Sequence, residues 1–367
     1  MKRTLAWLLV SAALVIGLSP ILALWMPARW RQHTYQEISF QFIANNALSK
    51  SSAPEDIIRA AMRYTRMHLW LVDNPRPYAG KPLDYLVEGI GWCDYQAKVF
   101  CRLLAAKGIH ARYAFLKDAG GNSPHTIAEV YVRGRWRAID PFLGLTYLDG
   151  NGEWAALEEV TPELVANLPE LALLRSAQTD VDERILALSA QVFPLPQSPQ
   201  RSDDFISDKN LFDWIADSYV TVGRNAFAWW YQDQHLRRQL AAIPDPVEQL
   251  WQQARHYHLY RRHREAEPLY RRLLTLDASG RYRERVPLLL GRLLIRDKRF
   301  LEARQVLEAF QAQVPDRPWV HFQLALCAEG LGDTPGAIRE LKQYQQLHGT
   351  KFAVKALRHL AKLLKET

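Results

Sequence analysis

Cys93, His125 and Asp140 are the side chains of this 367-residue chain whose types and order could do covalent chemistry. Cys93 stands in the run Gly91-Trp92-Cys93-Asp94-Tyr95-Gln96-Ala97-Lys98-Val99-Phe100-Cys101. Ala97, Phe100, Cys101 and Leu104 recur at helical spacing and Gly108 supplies a stop, so the spacing predicts a helix with Cys93 at or just before its N-terminus. The positive pole of the peptide dipoles at that end favours thiolate over thiol. Three strand-like runs follow, Arg112 to Lys117, Thr126 to Val132 and Arg135 to Ile139, with Arg133-Gly134 as a hairpin turn. His125 opens the second run and Asp140 closes the third. On adjacent antiparallel strands an imidazole and the carboxylate that orients it can lie side by side, facing a cysteine on a packed helix. Thiolate, imidazole and carboxylate form the set that nucleophilic thiol chemistry requires.

Each of the three has a bland reading when taken singly. A cysteine on an apolar helix face is a small core residue, a histidine opening a strand is a satisfied polar group, and Asp-Pro is a turn. Their joint order and spacing favour chemistry. Together with their frame they resemble the transglutaminase-like superfamily of papain-type cysteine enzymes. The resemblance rests on Gly91-Trp92-Cys93 with Ala97 and Phe100, on Gly108-Ile109-His110-Ala111-Arg112, on His125-Thr126-Ile127-Ala128-Glu129-Val130, and on Trp136-Arg137-Ala138-Ile139-Asp140-Pro141. It implies an α+β fold over about residues 45–150, with a papain-like core of a helix packed on an antiparallel sheet. It further implies Cys93 as nucleophile, His125 as general base and acid, and Asp140 as the partner of the histidine. Oxyanion donors would be the backbone N–H of Cys93, with Tyr85 or Trp92 assisting. The family covers both hydrolases and enzymes that pass the acyl group to an amine.

The two other cysteines, Cys101 and Cys327, read as core residues, and Cys101 lies too far along the helix from Cys93 for a disulfide. No metal-knuckle spacing, mononucleotide loop or dinucleotide fingerprint occurs, so neither metal nor cofactor is expected.

The elements that must hold these residues begin at the N-terminus. Met1-Lys2-Arg3 precedes an apolar run from Leu5 to Met26. Charge before an apolar stretch of about bilayer-spanning length reads as an uncleaved anchor over residues 1–30, with a cleaved signal peptide as the alternative. The flanking charges favour a body outside the cytoplasm, on the periplasmic side of the inner membrane in a bacterium, or soluble there or secreted if cleaved. Trp30 to Asn46 is expected to be helical. Ser52-x-x-Glu55 with Pro54 reads as a capping box ahead of a helix carrying Ile57, Ile58, Ala61 and Tyr64. Asp73 to Gly80 is a loop by composition, and Leu83 to Gly89 a short helix directly before the cysteine.

Residues 151–245 form a helical, aromatic-rich connection with a Pro-rich linker near 193–200. From 246 to 367 the pattern is helical and repeats. Ala254, Tyr257, Ala266 and Tyr270 are followed by Gly291, Leu294, Ala303 and Leu307, then by Ala325, Ala328, Ala337, Leu341 and Tyr344. A period of about 34 to 37 residues resembles tetratricopeptide repeats, giving an all-α solenoid of three repeats, with Phe352 to Leu364 as a capping helix.

The basic excess sits in the repeats, where residues 247–367 hold 22 Lys and Arg against 13 Asp and Glu, of 47 and 39 in the chain. Arg255, Arg261, Arg262, Arg264, Arg271 and Arg272 cluster in the first unit and suggest an acidic partner. Nucleic acid is not expected with an outward-facing body. The composite reading is a membrane-anchored thiol enzyme acting on an amide or ester of a protein or peptide. Peptidase or amidase action is favoured over crosslinking, and the repeats dock a protein partner. The alternative is a catalytically inactive scaffold for assembling an envelope protein or polysaccharide complex.

Overall fold

The computed structural model describes residues 27–48, 52–69, 81–89, 91–117, 120–123, 125–161, 163–164, 199–206, 226–277 and 280–348. The anchor run, the 73–80 loop, much of the 151–245 connection with most of its Pro-rich linker, and the 352–364 helix all lie outside the described residues. Among the described residues, no helix is long and apolar enough to cross a membrane.

The first half is a mixed helix-and-sheet unit. Helices α1 (Ala28–Ala47), α2 (Pro54–His68), α3 (Pro82–Glu88) and α4 (Cys93–Ala105) precede a five-stranded antiparallel sheet. Its strands are β1 (Ala111–Leu116), β2 (His125–Val132), β3 (Arg135–Asp140), β4 (Leu145–Thr146) and β5 (Gln200–Arg201), in the order β4-β3-β2-β1-β5. Helix α2 starts differently from the expectation. Pro54 takes the first helical position, so Ala53 becomes the N-cap and no side chain caps the end. Ser52 is thereby one residue too early, and Glu55 pairs instead with Arg133 at 2.8 Å. Gly89 closes α3 at φ +72°, a left-handed cap that glycine adopts without strain.

Alternation along the strands divides the sheet into two faces. One carries Ala128, Val130, Val132 and Ile139 into a core with Val99, Phe100, Cys101, Leu103 and Leu104 of α4 and with residues of α1 and α2. The other carries Ile127 and Ala138, and on the same parity His125 and Asp140. This second core includes Phe142, Leu143 and Tyr147, with Cys93 packed against it.

The second half is helical: α5 (Ala226–Ala241), α6 (Pro246–Leu259), α7 (His263–Leu276), α8 (Arg285–Arg296), α9 (Phe300–Gln311), α10 (Pro318–Gly330) and α11 (Thr334–His348). Helices α6 to α11 pack as three successive hairpins. The small residues read from the repeat pattern lie where paired helices meet: Ala254, Ala266, Ala303, Ala325 and Ala337 are fully buried. At Gly291 a β-carbon would come within 2.8 Å of the Leu307 side chain, so α8 and α9 approach closely there and an alanine would require Leu307 to shift.

The two halves share cores. Leu259 and Tyr260 from the end of α6 join the first core, and Phe322 and Tyr344 of the last hairpin join the second. Within the aromatic segment, Tyr231 is fully buried, whereas Trp229 and Trp230 remain exposed.

Candidate active site

Cys93 is the first residue of α4, and Trp92 is its N-cap with no side-chain capping bond. The N–H groups of a helix's first turn have no intrahelical acceptor, so this end presents backbone donors beside the thiol. Cys93 is partly exposed, whereas Cys101 and Cys327 are buried.

His125 opens β2 and is almost wholly buried; Asp140 closes β3 and is completely so. The pairing Ala128 with Ile139, continued by one step, sets Asp140 across from Ile127 and makes His125 its diagonal neighbour on the same face. His125 Nε2 lies 2.7 Å from Asp140 Oδ2. The Cys93 thiol lies close enough to the same imidazole to help raise its pKa. With Nε2 engaged by Asp140, Nδ1 is the nitrogen left for a second partner.

Asp140 is held by more than the histidine. Its Oδ1 accepts from the backbone N–H groups of Phe142 at 2.9 Å and Leu143 at 2.8 Å, and the Tyr147 hydroxyl donates to Oδ2 at 3.5 Å. Gly144 N–H closes the turn on the Asp140 carbonyl at 2.8 Å. Asp-Pro is thus a turn, and that turn orients the carboxylate. Burial lowers the His125 pKa, but the charge and hydrogen bond of Asp140, followed by those of Cys93, outweigh it and push the value up to about 10. Burial, then Asp140, pushes the Tyr147 hydroxyl well above its ordinary range, keeping it a neutral donor.

The structure therefore brings Cys93, His125 and Asp140 together. Tyr85 is buried and stacked on Tyr95 with ring centroids 4.1 Å apart. Burial first, then Tyr95, Asp94, Asp84 and Tyr113, push its hydroxyl up to about 12. Trp92 is exposed at the helix entrance. The Phe142 and Leu143 amides and Tyr147 escaped the sequence reading. The turn after Asp140 was the available signal for the amides, and nothing in spacing marks Tyr147.

The basic cluster of the first helical pair does not form one cationic face. Arg255 is fully buried, and its guanidinium donates to the carbonyls of Val87, at 2.9 Å, and Leu86. Arg262 pairs with Asp233 at 2.7 Å and Glu265 at 3.0 Å, and lies over the Tyr257 ring. Arg271 pairs with Glu267 and Glu302. Burial lowers Arg261, followed by the charge of Arg296. Arg261, Arg264, Arg271 and Arg272 are exposed. Arg255, fully buried, cannot share a surface with the other five. Among the described residues, no group of three or more His, Cys, Asp or Glu is arranged to hold a metal.

Residues 41–141 match the transglutaminase-like superfamily, and a domain of that type occupies this part of the chain. No curated protein matches the sequence.

Proposed function

We propose that the chain is a thiol enzyme that opens an amide or ester bond through an acyl-Cys93 intermediate. The observation that carries this reading is the line Cys93–His125–Asp140, with His125 Nε2 2.7 Å from Asp140 Oδ2 and the thiol beside the same imidazole. The proton of the pair rests on His125, and the Cys93 sulfur attacks the carbonyl carbon. The oxyanion that forms is met by the Cys93 N–H at the start of α4. The imidazolium then donates its proton to the departing amine or alkoxide as the C–N or C–O bond breaks, leaving a thioester. Water attacks the thioester, His125 takes one of its protons, and carboxylate and thiol are released. An amine in place of water would give a crosslinked amide. Hydrolysis is the favoured outcome because Cys93 is partly open to solvent and no described element seals it.

The rest of the composite reading belongs to the same proposal. The apolar N-terminal run anchors the enzyme with its body outside the cytoplasm. The three helical hairpins act as tetratricopeptide-type repeats that dock a protein partner.

The test is intact-protein mass spectrometry during turnover of small peptide esters and amides, with and without an added primary amine. The expected result is an acyl adduct on Cys93, absent in Cys93→Ala, that clears to the acid. Clearance mainly to the amide would overturn the hydrolase assignment. No adduct from any ester, with full cellular function retained by Cys93→Ala, would favour the scaffold instead.

A further inference from the structure

A cleft of about 410 Å³ opens between α2 and the helices α8 and α10, with Gly144 in its wall. Five arginines line it, Arg59, Arg63 and Arg66 from α2 and Arg292 and Arg296 from α8, and among the described residues neither Asp nor Glu does. Asp297 is turned to His263 at 3.4 Å, and Asp56 reaches only Arg59, at 3.9 Å and in the open. His68 and His258 also face the cleft. Burial holds both imidazoles well below their ordinary pKa, and Arg255 and Arg292 are among the cations that add to it. Arg292 itself falls to about 9, by burial and then by Arg255. Charge of one sign gathered around a partly apolar space is relieved by an incoming anion.

A second observation narrows the anion. Gln323, 3% exposed, lines the cleft with both its amide oxygen and its amide nitrogen lacking a hydrogen-bond partner. His68 Nδ1 is likewise buried without one. Buried polar atoms of this kind are rare in folded proteins. A carboxamide that offers a donor and an acceptor side by side is complemented by a peptide group, whereas phosphate or sulfate brings acceptors only. Trp319, Phe322 and Ile295 supply an apolar wall beside it.

We propose that this cleft binds an extended acidic peptide segment, its carboxylates on the arginines of α2 and α8, a backbone amide on Gln323, and a bulky apolar side chain against Trp319 and Phe322. Binding here does not rest on the thiol chemistry. It would place the peptide beside the 141–144 turn that fixes Asp140.

The test uses the full chain carrying Cys93→Ala, so that cleavage cannot consume the probe. A fluorescein-labelled hexapeptide of alternating glutamate and leucine is titrated by anisotropy. Saturable binding is expected. Exchanging glutamate for glutamine in the peptide, or combining Arg63→Glu with Arg296→Glu, should weaken it at least tenfold. Gln323→Leu should weaken it several-fold. Far-UV circular dichroism and thermal melting verify that each variant is folded. Equal binding of the glutamine peptide, or indifference to the charge reversals, would overturn the site. Indifference to Gln323→Leu, or displacement of the probe by inorganic phosphate or by phosphatidylglycerol vesicles, would overturn the peptide assignment.

Discussion

His125 is where burial and charge oppose each other most directly, and charge prevails. Its pKa near 10 in the folded chain, against about 6.5 for a free imidazole, keeps it protonated at neutral pH. A group whose pKa rises on folding adds stability that is complete below the unfolded value and disappears as pH passes the folded one. The expected outcome is a unfolding free energy that declines between pH 6.5 and 10, measured by urea titration, with that decline flattened in Asp140→Asn. An identical decline in the variant would show that Asp140 does not hold the proton. On the proposed chemistry, Asp140→Asn should also lower turnover by about 10²- to 10⁴-fold, because the imidazole loses its orienting acceptor. Cys93, His125 and Asp140 were legible in the sequence as candidates because each is marked by residue type. The Phe142 and Leu143 amides were not, since a backbone donor carries no type. Tyr147 was not, because it reaches Asp140 only through the short return strand β4.

The elements show how the second half of the chain supports the first. The last carbonyls of a helix lack intrahelical donors. In α3, Leu86 and Val87 receive the Arg255 guanidinium, and Glu88 receives Arg285 at 3.1 Å. Two cations also sit at the negative pole of a helix that ends a few residues before Cys93. Hydrogen bonds from a charged group to buried acceptors contribute about 1.5–3 kcal/mol each. Arg255→Met should therefore destabilise the chain by about 2–4 kcal/mol in urea unfolding, because it strands two carbonyls. Arg271→Met, on an exposed pair, should cost less than about 1 kcal/mol. Equal losses in the two would remove the case for a bracing role. Helical spacing alone located α4, α6 and the later hairpins. It could not show that Arg255 faces inward, because its acceptors stand about 170 residues earlier. The β5 strand was hidden for the same reason: Gln200 and Arg201 pair with β1 far back in the chain, and their local sequence reads as linker.

For the molecule as a whole, these contacts decide whether the halves behave as one body. Helix α1 lies between them. Its Glu37 pairs with Arg102 of α4, while Tyr35 stacks on His235 of α5 and meets His256 of α6. The last hairpin packs Phe322 and Tyr344 into the core that holds Phe142 and Leu143. Domains joined through buried apolar contacts and buried charge lose both sets if one half opens, so their unfolding should be coupled. Two cysteines report the halves separately, since Cys101 is buried in the first core and Cys327 in the helical array. In Cys93→Ala protein, both thiols should become alkylatable at the same urea concentration, with a shared midpoint that Arg255→Met lowers equally at each. Labelling of Cys327 at a clearly lower concentration than Cys101 would mean that the array opens alone. The α3 brace would then be dispensable to the domain that carries Cys93.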